Sequence, residues 1–108
     1  MNCKPPQVKR LFPDSDIPAT GERFEELLTR RNVRIERILS APGSVSGPCD
    51  QTQDEWVLLL QGTALLDVDG ERLELQGGEA LFLPAHCVHR VLDTSAEPPC
   101  IWLAVHVG

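Results

Sequence analysis

Two histidines and one glutamate stand where they could act together on a metal ion. His86 and His89 are separated by two residues, and Glu55 begins an earlier apolar run. A divalent transition metal is bound by imidazole nitrogen and carboxylate oxygen at about 2.0–2.2 Å. The three residues could form a two-histidine, one-carboxylate set that leaves positions open for a substrate or dioxygen. A carboxylate that points into an apolar interior also needs such a partner, because an unpaired buried charge is costly.

Each of these residues also has an interpretation that involves no metal. Glu55 could pair with Arg37, the charged residue on an otherwise apolar strand face, or with His89. His89 could be a core histidine bonded to a backbone carbonyl. His86 follows Pro84 in a predicted tight turn, where histidine tolerates a left-handed backbone better than most residues.

Three more residues are candidates for contact with a ligand. Arg37 could bind an anionic substrate. His106 and Trp102 lie on one face of the last apolar run, because strand residues alternate between two faces. That face either lines the interior, which makes both residues ligand contacts, or faces outward.

The elements that must hold these residues are strands joined by turns. Apolar residues alternate with charged ones over residues 33–39, and short apolar runs follow at 56–61, 63–69, 72–75, 80–83, 88–92 and 101–107. Asp69-Gly70 lies between two of these runs and predicts a tight hairpin. The runs are too closely spaced for helical crossovers, so the sequence predicts an all-β antiparallel sandwich or barrel over residues 33–108.

The first 32 residues have a different pattern. Residues 3–18 are rich in proline and predict an extended arm or edge strand. Thr20 could cap a short helix that continues to Arg31, with Phe24, Leu27 and Leu28 as its apolar stripe. The whole chain is predicted to form one domain, with residues 1–32 as arm and helix.

Length and charge exclude several classes of function. The 108 residues carry a net charge of −6, which argues against a nucleic-acid or anionic-membrane partner, since both require a basic face. No apolar run suits a signal peptide or a membrane span, so we expect a cytoplasmic protein. Its four cysteines, none in a C-x-x-C pair, are then expected to be free thiols.

The spacing of glycine, proline, glutamate and histidine resembles the two motifs of the cupin family. The matching residues read Gly47-x7-Glu55-x6-Gly62 and Gly78-x5-Pro84-x-His86-x2-His89-x3-Asp93, with fifteen residues between Gly62 and Gly78. The resemblance covers residues 33–107. It implies a small double-stranded β-helix, or jelly-roll, barrel into which Glu55 and His89 point.

The first motif departs from the family pattern. Both of its histidines are missing, and Asp50 and Gln51 stand near their positions. Gln51 is therefore a further candidate for the metal set, although an amide is a poor transition-metal ligand; it could instead bond a metal-bound water or an organic ligand beside Asp50. The second motif has His86 where the family has glycine, which adds one histidine.

The resemblance implies a cupin barrel that holds iron, manganese, nickel or zinc and binds or transforms a small organic molecule. If it is an enzyme, oxygenase or isomerase chemistry is expected. One alternative is a binding or sensing module without metal. Another is a structural homodimer, because the apolar stripe Trp56, Leu58 and Leu60 would be exposed on a monomer.

Overall fold

The computed structural model of the chain describes residues 5–12 and 17–108, which form strands, turns and loops. All strand pairings are antiparallel, as predicted. The strands are β1 (Glu22–Arg30), β2 (Val33–Ser40), β3 (Asp54–Gln61), β4 (Thr63–Val68), β5 (Glu71–Gln76), β6 (Ala80–Leu83), β7 (His89–Thr94) and β8 (Ile101–Val107). In this part of the chain no helix is long and apolar enough to cross a membrane.

The strands form two sheets that enclose the core. One sheet has the order β1-β2-β8-β3-β6 and the other the order β5-β4-β7. Their inner faces carry the buried cluster, because alternate residues of each strand point inward. Its members are Val57, Leu59, Ala64, Leu66, Leu75, Leu83, Cys100, Trp102 and Ala104. The all-β jelly-roll fold expected from the sequence is confirmed.

The helix predicted over residues 20–31 is wrong, because this segment is strand β1. It pairs with β2 along its length, and Arg31-Asn32 forms the turn between them. The register shifts between Glu26 and Leu28, which places Phe24 opposite Ile38 but Leu28 opposite Ile35. This bulge gives the apolar residues a spacing that also suits a helix. Residues 22–30 therefore belong to the barrel sheet, which begins before residue 33.

The predicted arm of residues 3–18 is described in part. Residues 3–4 and 13–16 lie outside the described residues, and residues 5–12 form no strand. The arm is tied to the barrel by Arg37, whose Nη1 donates to the carbonyl oxygens of Arg10 and Leu11, both at 3.1 Å. Because Arg37 alternates with the inward-facing Ile38, the arm crosses the outer face of the larger sheet.

The predicted hairpin and one motif glycine have clear structural roles. Asp69 and Gly70 both have positive φ, of 50° and 85°, in the turn between β4 and β5. Gly62 separates β3 from β4 with a φ of 94°, and a Cβ added there would lie 2.8 Å from Cys100 Sγ. Position 62 therefore requires glycine for two reasons: its positive φ and the close approach of Cys100.

Candidate functional site

A cavity of about 130 Å³ lies between the two sheets. For comparison, a buried cavity of about 150 Å³ accommodates benzene. Aliphatic and aromatic side chains form most of its wall, and four polar groups are titratable. The lining residues are Glu22, Phe24, Ile38, Ser46, Cys49, Glu55, Val57, Leu66, Leu83, His89, Val91 and Trp102.

Glu55 and His89 approach each other across this cavity from different sheets. His89 Nε2 lies 3.7 Å from Glu55 Oε1, and the two side chains are only 11% and 8% exposed. His89 Nδ1 lies 3.0 Å from the carbonyl oxygen of Cys87. A carbonyl oxygen only accepts, so Nδ1 carries the proton, and in the neutral ring the lone pair of Nε2 faces Glu55.

Gln51 holds one oxygen of the Glu55 carboxylate. Its Nε2 donates to Glu55 Oε1 at 2.5 Å. Among the described residues, no hydrogen-bond donor contacts the second oxygen, Oε2. Because Glu55 is buried and lines the cavity, this leaves a carboxylate oxygen available to a ligand.

The cavity is lined by a second carboxylate, that of Glu22, which is held by a chain of hydrogen bonds. Trp102 Nε1 donates to Ser40 Oγ at 3.0 Å, and the Ser40 hydroxyl donates to Glu22 Oε2 at 2.8 Å. Ser40 is completely buried. Burial raises the pKa of Glu22 above its usual 4.5; the Ser40 bond opposes this shift, and the charge of Glu55 adds to it.

Cys49 reaches the cavity because its loop runs beside β7. Cys49 N donates to the carbonyl of His89 at 2.7 Å, and His89 N donates back to the carbonyl of Cys49 at 3.1 Å. Burial raises the pKa of the Cys49 thiol, and the charges of Glu55 and Glu22 add to this effect. The thiol therefore carries less thiolate at neutral pH than an ordinary cysteine.

The structure brings together four of the eight residues proposed from the sequence. Glu55, His89 and Trp102 line the cavity, and Gln51 is hydrogen-bonded to Glu55 from outside the lining. His89 also makes the backbone carbonyl bond that the sequence left open as its alternative role.

His86 and Asp50 lie outside this group. His86 Nδ1 lies 2.9 Å from Asp50 Oδ1, with the two side chains 67% and 59% exposed. His86 has a φ of 64°, so it occupies the left-handed turn position that was its alternative interpretation. Its place in the turn directs the ring to the surface, where it pairs with Asp50 instead of joining Glu55 and His89.

Arg37 and His106 are bound to other residues, although Arg37 Nε and His106 Nδ1 are buried with no hydrogen-bond partner in the described part of the chain. Arg37 points to the outer face of the sheet, where its Nη2 lies 2.6 Å from Glu25 Oε2; it therefore neither pairs with Glu55 nor lines the cavity. His106 lies on the inner face, but its Nε2 is bound to Glu36 Oε1 at 2.9 Å. The carboxylates of Glu25 and Glu36 thus bind these two side chains away from the cavity.

Sequence reasoning missed the cavity residues of β1. Because the sequence predicts a helix for this segment, it does not show that Glu22 and Phe24 share an inner face with Ile38 and Trp102. The signal that could have found them is Arg31-Asn32, a two-residue turn between segments that each contain alternating polar and apolar residues.

The cavity fits a metal ion only in part. His89 Nε2 and Glu55 Oε1 are suitable donors, and the bond from Nδ1 to a carbonyl is the usual way of orienting a histidine ligand. In the described ranges, however, no group of three or more His, Cys, Asp or Glu side chains is arranged to hold a metal. The residues present therefore supply two ligands, fewer than the three protein ligands typical of a catalytic site.

Comparison with known proteins agrees with this fold. A protein from Ralstonia eutropha JMP134, provisionally named a mannose-6-phosphate isomerase, is 39% identical with a TM-score of 0.84, over 94% of this chain and 98% of that chain. A cupin 2 conserved barrel domain protein from Leptotrichia buccalis is 22% identical with a TM-score of 0.76, over 86% of this chain and 44% of that one.

A third similar structure, an RmlC-like cupin from Shewanella frigidimarina NCIMB 400, is 18% identical with a TM-score of 0.74, over 85% of this chain and 79% of that one. No curated protein matches the chain. The family model described as the cupin domain matches residues 37–106. This match covers most of the chain and includes Glu55, Gly62, Gly78 and His89, so the protein belongs to the cupin family.

Proposed function

We propose that the barrel cavity binds a small organic molecule that is mostly apolar and has one polar end. The observation that carries the proposal is a preformed cavity whose aliphatic wall is interrupted by the facing pair Glu55 and His89. A concave apolar site with a few convergent polar groups is typical of small-molecule binding. The apolar wall would supply affinity, and Glu55 and His89 would orient the polar end.

The charge of the cavity does not support a sugar phosphate as the ligand. That class is suggested by the name of the Ralstonia protein. A phosphate group is usually bound by arginine, lysine or several backbone amides. The described lining has two carboxylates and neither lysine nor arginine, so it would repel a phosphate.

A cavity-filling variant tests the binding proposal. Val91 lines the cavity from β7, whereas Val88, just before this strand, is 45% exposed and does not line it. Molecules of about the size of benzene would be screened for a rise in melting temperature of the wild type, of Val91→Phe and of Val88→Phe. A ligand that binds only the folded state raises its stability by RT ln(1 + [L]/Kd), so the effect grows with ligand concentration and affinity.

We expect some of these molecules to stabilise the wild type and Val88→Phe but not Val91→Phe. The shifts in melting temperature should keep rising with the logarithm of ligand concentration above Kd. A library that stabilises none of the three proteins, or stabilises Val91→Phe equally, would contradict binding in this cavity.

A divalent metal held by His89 and Glu55 is the second candidate function. The separation of 3.7 Å between Nε2 and Oε1 supports it, because two ligands with bonds of about 2.1 Å lie roughly 3.0–3.7 Å apart when they share a metal. Iron, manganese, nickel and zinc all use such donors. The oxygenase or isomerase activity that the family resemblance implies stays a prediction.

Elemental analysis separates this candidate from metal-free binding. Protein purified without chelators would be compared with His89→Ala, Glu55→Ala and the surface control His86→Ala. One metal per chain in the wild type and in His86→Ala, lost from the other two, would support the metal site. Equal metal content in all four proteins, or none after reconstitution, would contradict it.

A further inference from the structure

The cavity described above has an excess of hydrogen-bond acceptors and of negative charge. Glu22 and Glu55 both line it, and His89 is the one described lining residue that can carry a positive charge. Arg37, which precedes the lining residue Ile38, is turned to the outer face and bound to Glu25. Even with His89 protonated, two ionised carboxylates leave the lining with a net negative charge.

The acceptors are directed at the same space. Glu55 is more than nine-tenths buried, and its Oε2 has no donor among the described residues. His89 uses Nδ1–H on the Cys87 carbonyl, so neutral Nε2 offers a lone pair 3.7 Å from Glu55 Oε1. A lone pair that faces a carboxylate is unfavourable unless a donor lies between them. A ligand that donates a hydrogen bond would satisfy both groups, and one that is also positively charged would offset the charge of the carboxylates.

The aromatic residues of the lining are consistent with a cation. Trp102 lies in the wall with its Nε1–H already bound to Ser40, so the ring has no free donor to offer a ligand. Phe24 lies on the inner face of β1 but is 59% exposed, which places it at the opening of the cavity. Organic cations are attracted to the faces of tryptophan and phenylalanine rings.

We propose, as an extension of the small-molecule function, that this cavity selects a small organic ammonium ion, whose charge is held by Glu55 and Glu22 beside His89 and whose alkyl part packs on the aliphatic wall. Two of the N–H groups of one ammonium can donate to Glu55 Oε2 and to His89 Nε2. A cavity of about 130 Å³ with a mostly apolar wall suits an alkylammonium better than a bare inorganic ion.

The test uses three probes of one shape and different charge. They are tert-butylammonium, tert-butanol and pivalate, which carry a positive charge, no charge and a negative charge on a tert-butyl group, pivalate being larger by one carboxylate carbon. Binding of each would be measured by calorimetry at pH 7 and low salt, where the amine is protonated. We expect tert-butylammonium to bind about tenfold or more tighter than tert-butanol, and pivalate to bind more weakly than both.

Three variants that each remove one negative charge assign the selectivity to the cavity. Glu22→Gln and Glu55→Gln keep the side-chain shape, and Glu74→Gln is the control, because Glu74 is exposed on β5 and outside the cavity. We expect each cavity variant to weaken tert-butylammonium at least about fivefold and to leave tert-butanol nearly unchanged. The control should bind all three probes as the wild type does.

The outcomes distinguish this inference from the function on which it rests. Equal binding of the three probes, or loss of ammonium binding in Glu74→Gln to the same extent as in the cavity variants, would overturn the selection of a cation and leave the cavity as a binding site. Failure of all three probes to bind, together with a thermal screen that stabilises neither the wild type nor Val88→Phe, would overturn both the cation selection and the binding function.

Discussion

His89 faces Glu55 with the ring nitrogen that carries no proton in the neutral imidazole. Nε2 lies 3.7 Å from Glu55 Oε1, while Nδ1 is committed to the carbonyl of Cys87. The pair joins β7 of the smaller sheet to β3 of the larger one, so both sheets contribute to a single polar point in an apolar cavity. A hydrogen-bond donor or a metal ion completes this arrangement, and both candidate functions begin from it.

The hydrogen-bond chain from Trp102 through Ser40 to Glu22 predicts a strong energetic coupling. Ser40→Ala should lower the free energy of unfolding by about 1–3 kcal/mol, because the buried Trp102 Nε1 loses its acceptor. In the double variant, Trp102→Phe should recover part of the free energy lost by Ser40→Ala, since it removes the unsatisfied indole donor. Urea denaturation of the two single variants and the double variant measures the coupling, and additive losses would contradict it.

The raised pKa of Glu22 predicts how stability depends on pH. A carboxyl whose pKa is higher in the folded state favours folding when it is protonated. This contribution is full below the unfolded pKa of about 4.5 and is lost as the pH rises through the folded pKa. Glu22→Gln should therefore raise the melting temperature near pH 7 and have little effect below about pH 4.5. An equal rise at both pH values would contradict this account.

Arg37 predicts a loss of stability without a loss of binding. It is bonded to Glu25 and to the carbonyls of Arg10 and Leu11, with a side chain only 7% exposed. Arg37→Ala should cost about 1–3 kcal/mol, because Glu25 and the arm lose their partner. Affinity for any cavity ligand should stay within about twofold, since Arg37 lies on the other face of the sheet.

A matched variant controls for the loss of charge. Arg34 lies 3.9 Å from Glu36 and is 39% exposed, so Arg34→Ala should cost less than about 1 kcal/mol. Two outcomes would contradict a purely stabilising role for Arg37. One is an equal loss of unfolding free energy in the two variants, and the other is weaker ligand binding in Arg37→Ala alone.

The outer face of the larger sheet predicts self-association. Trp56 and Phe82 lie opposite each other on β3 and β6 and are 43% and 55% exposed. Large apolar side chains grouped on a surface are typical of an interface, and we expect a homodimer. Sedimentation equilibrium of the wild type, Trp56→Ser and Phe82→Ser measures it. A monomeric wild type at high concentration, or variants that remain dimeric, would contradict this use of the face.

The fold could be predicted from the sequence because its signals are local and repeated. Alternating apolar runs, Asp69-Gly70 and Gly62 each specify a strand or a turn by themselves. β1 could not be predicted in the same way. Its bulge between Glu26 and Leu28 disturbs the alternation, and its pairing with β2 is a tertiary contact that local propensity does not report.

The site was predictable where the backbone fixes the direction of a side chain. Glu55 and His89 follow from alternation along β3 and β7, together with the motif spacing. His86 and Arg37 could not be placed, because their positions depend on a turn conformation and on a partner from β1. Glu22 lines the cavity because β1 is a strand, so a sequence that predicts a helix there also fails to predict the excess negative charge of the cavity.

Chemical-shift mapping of the cavity methyl groups tests the central claim most directly. Methyl-labelled protein would be titrated with a ligand from the thermal screen or with tert-butylammonium. Small-molecule binding between the sheets predicts saturable shifts of the Val57, Leu66 and Val91 methyls and of the Trp102 indole proton. Shifts confined to the outer face, at Trp56 and Leu58, or no saturable shift with any of these molecules, would contradict it.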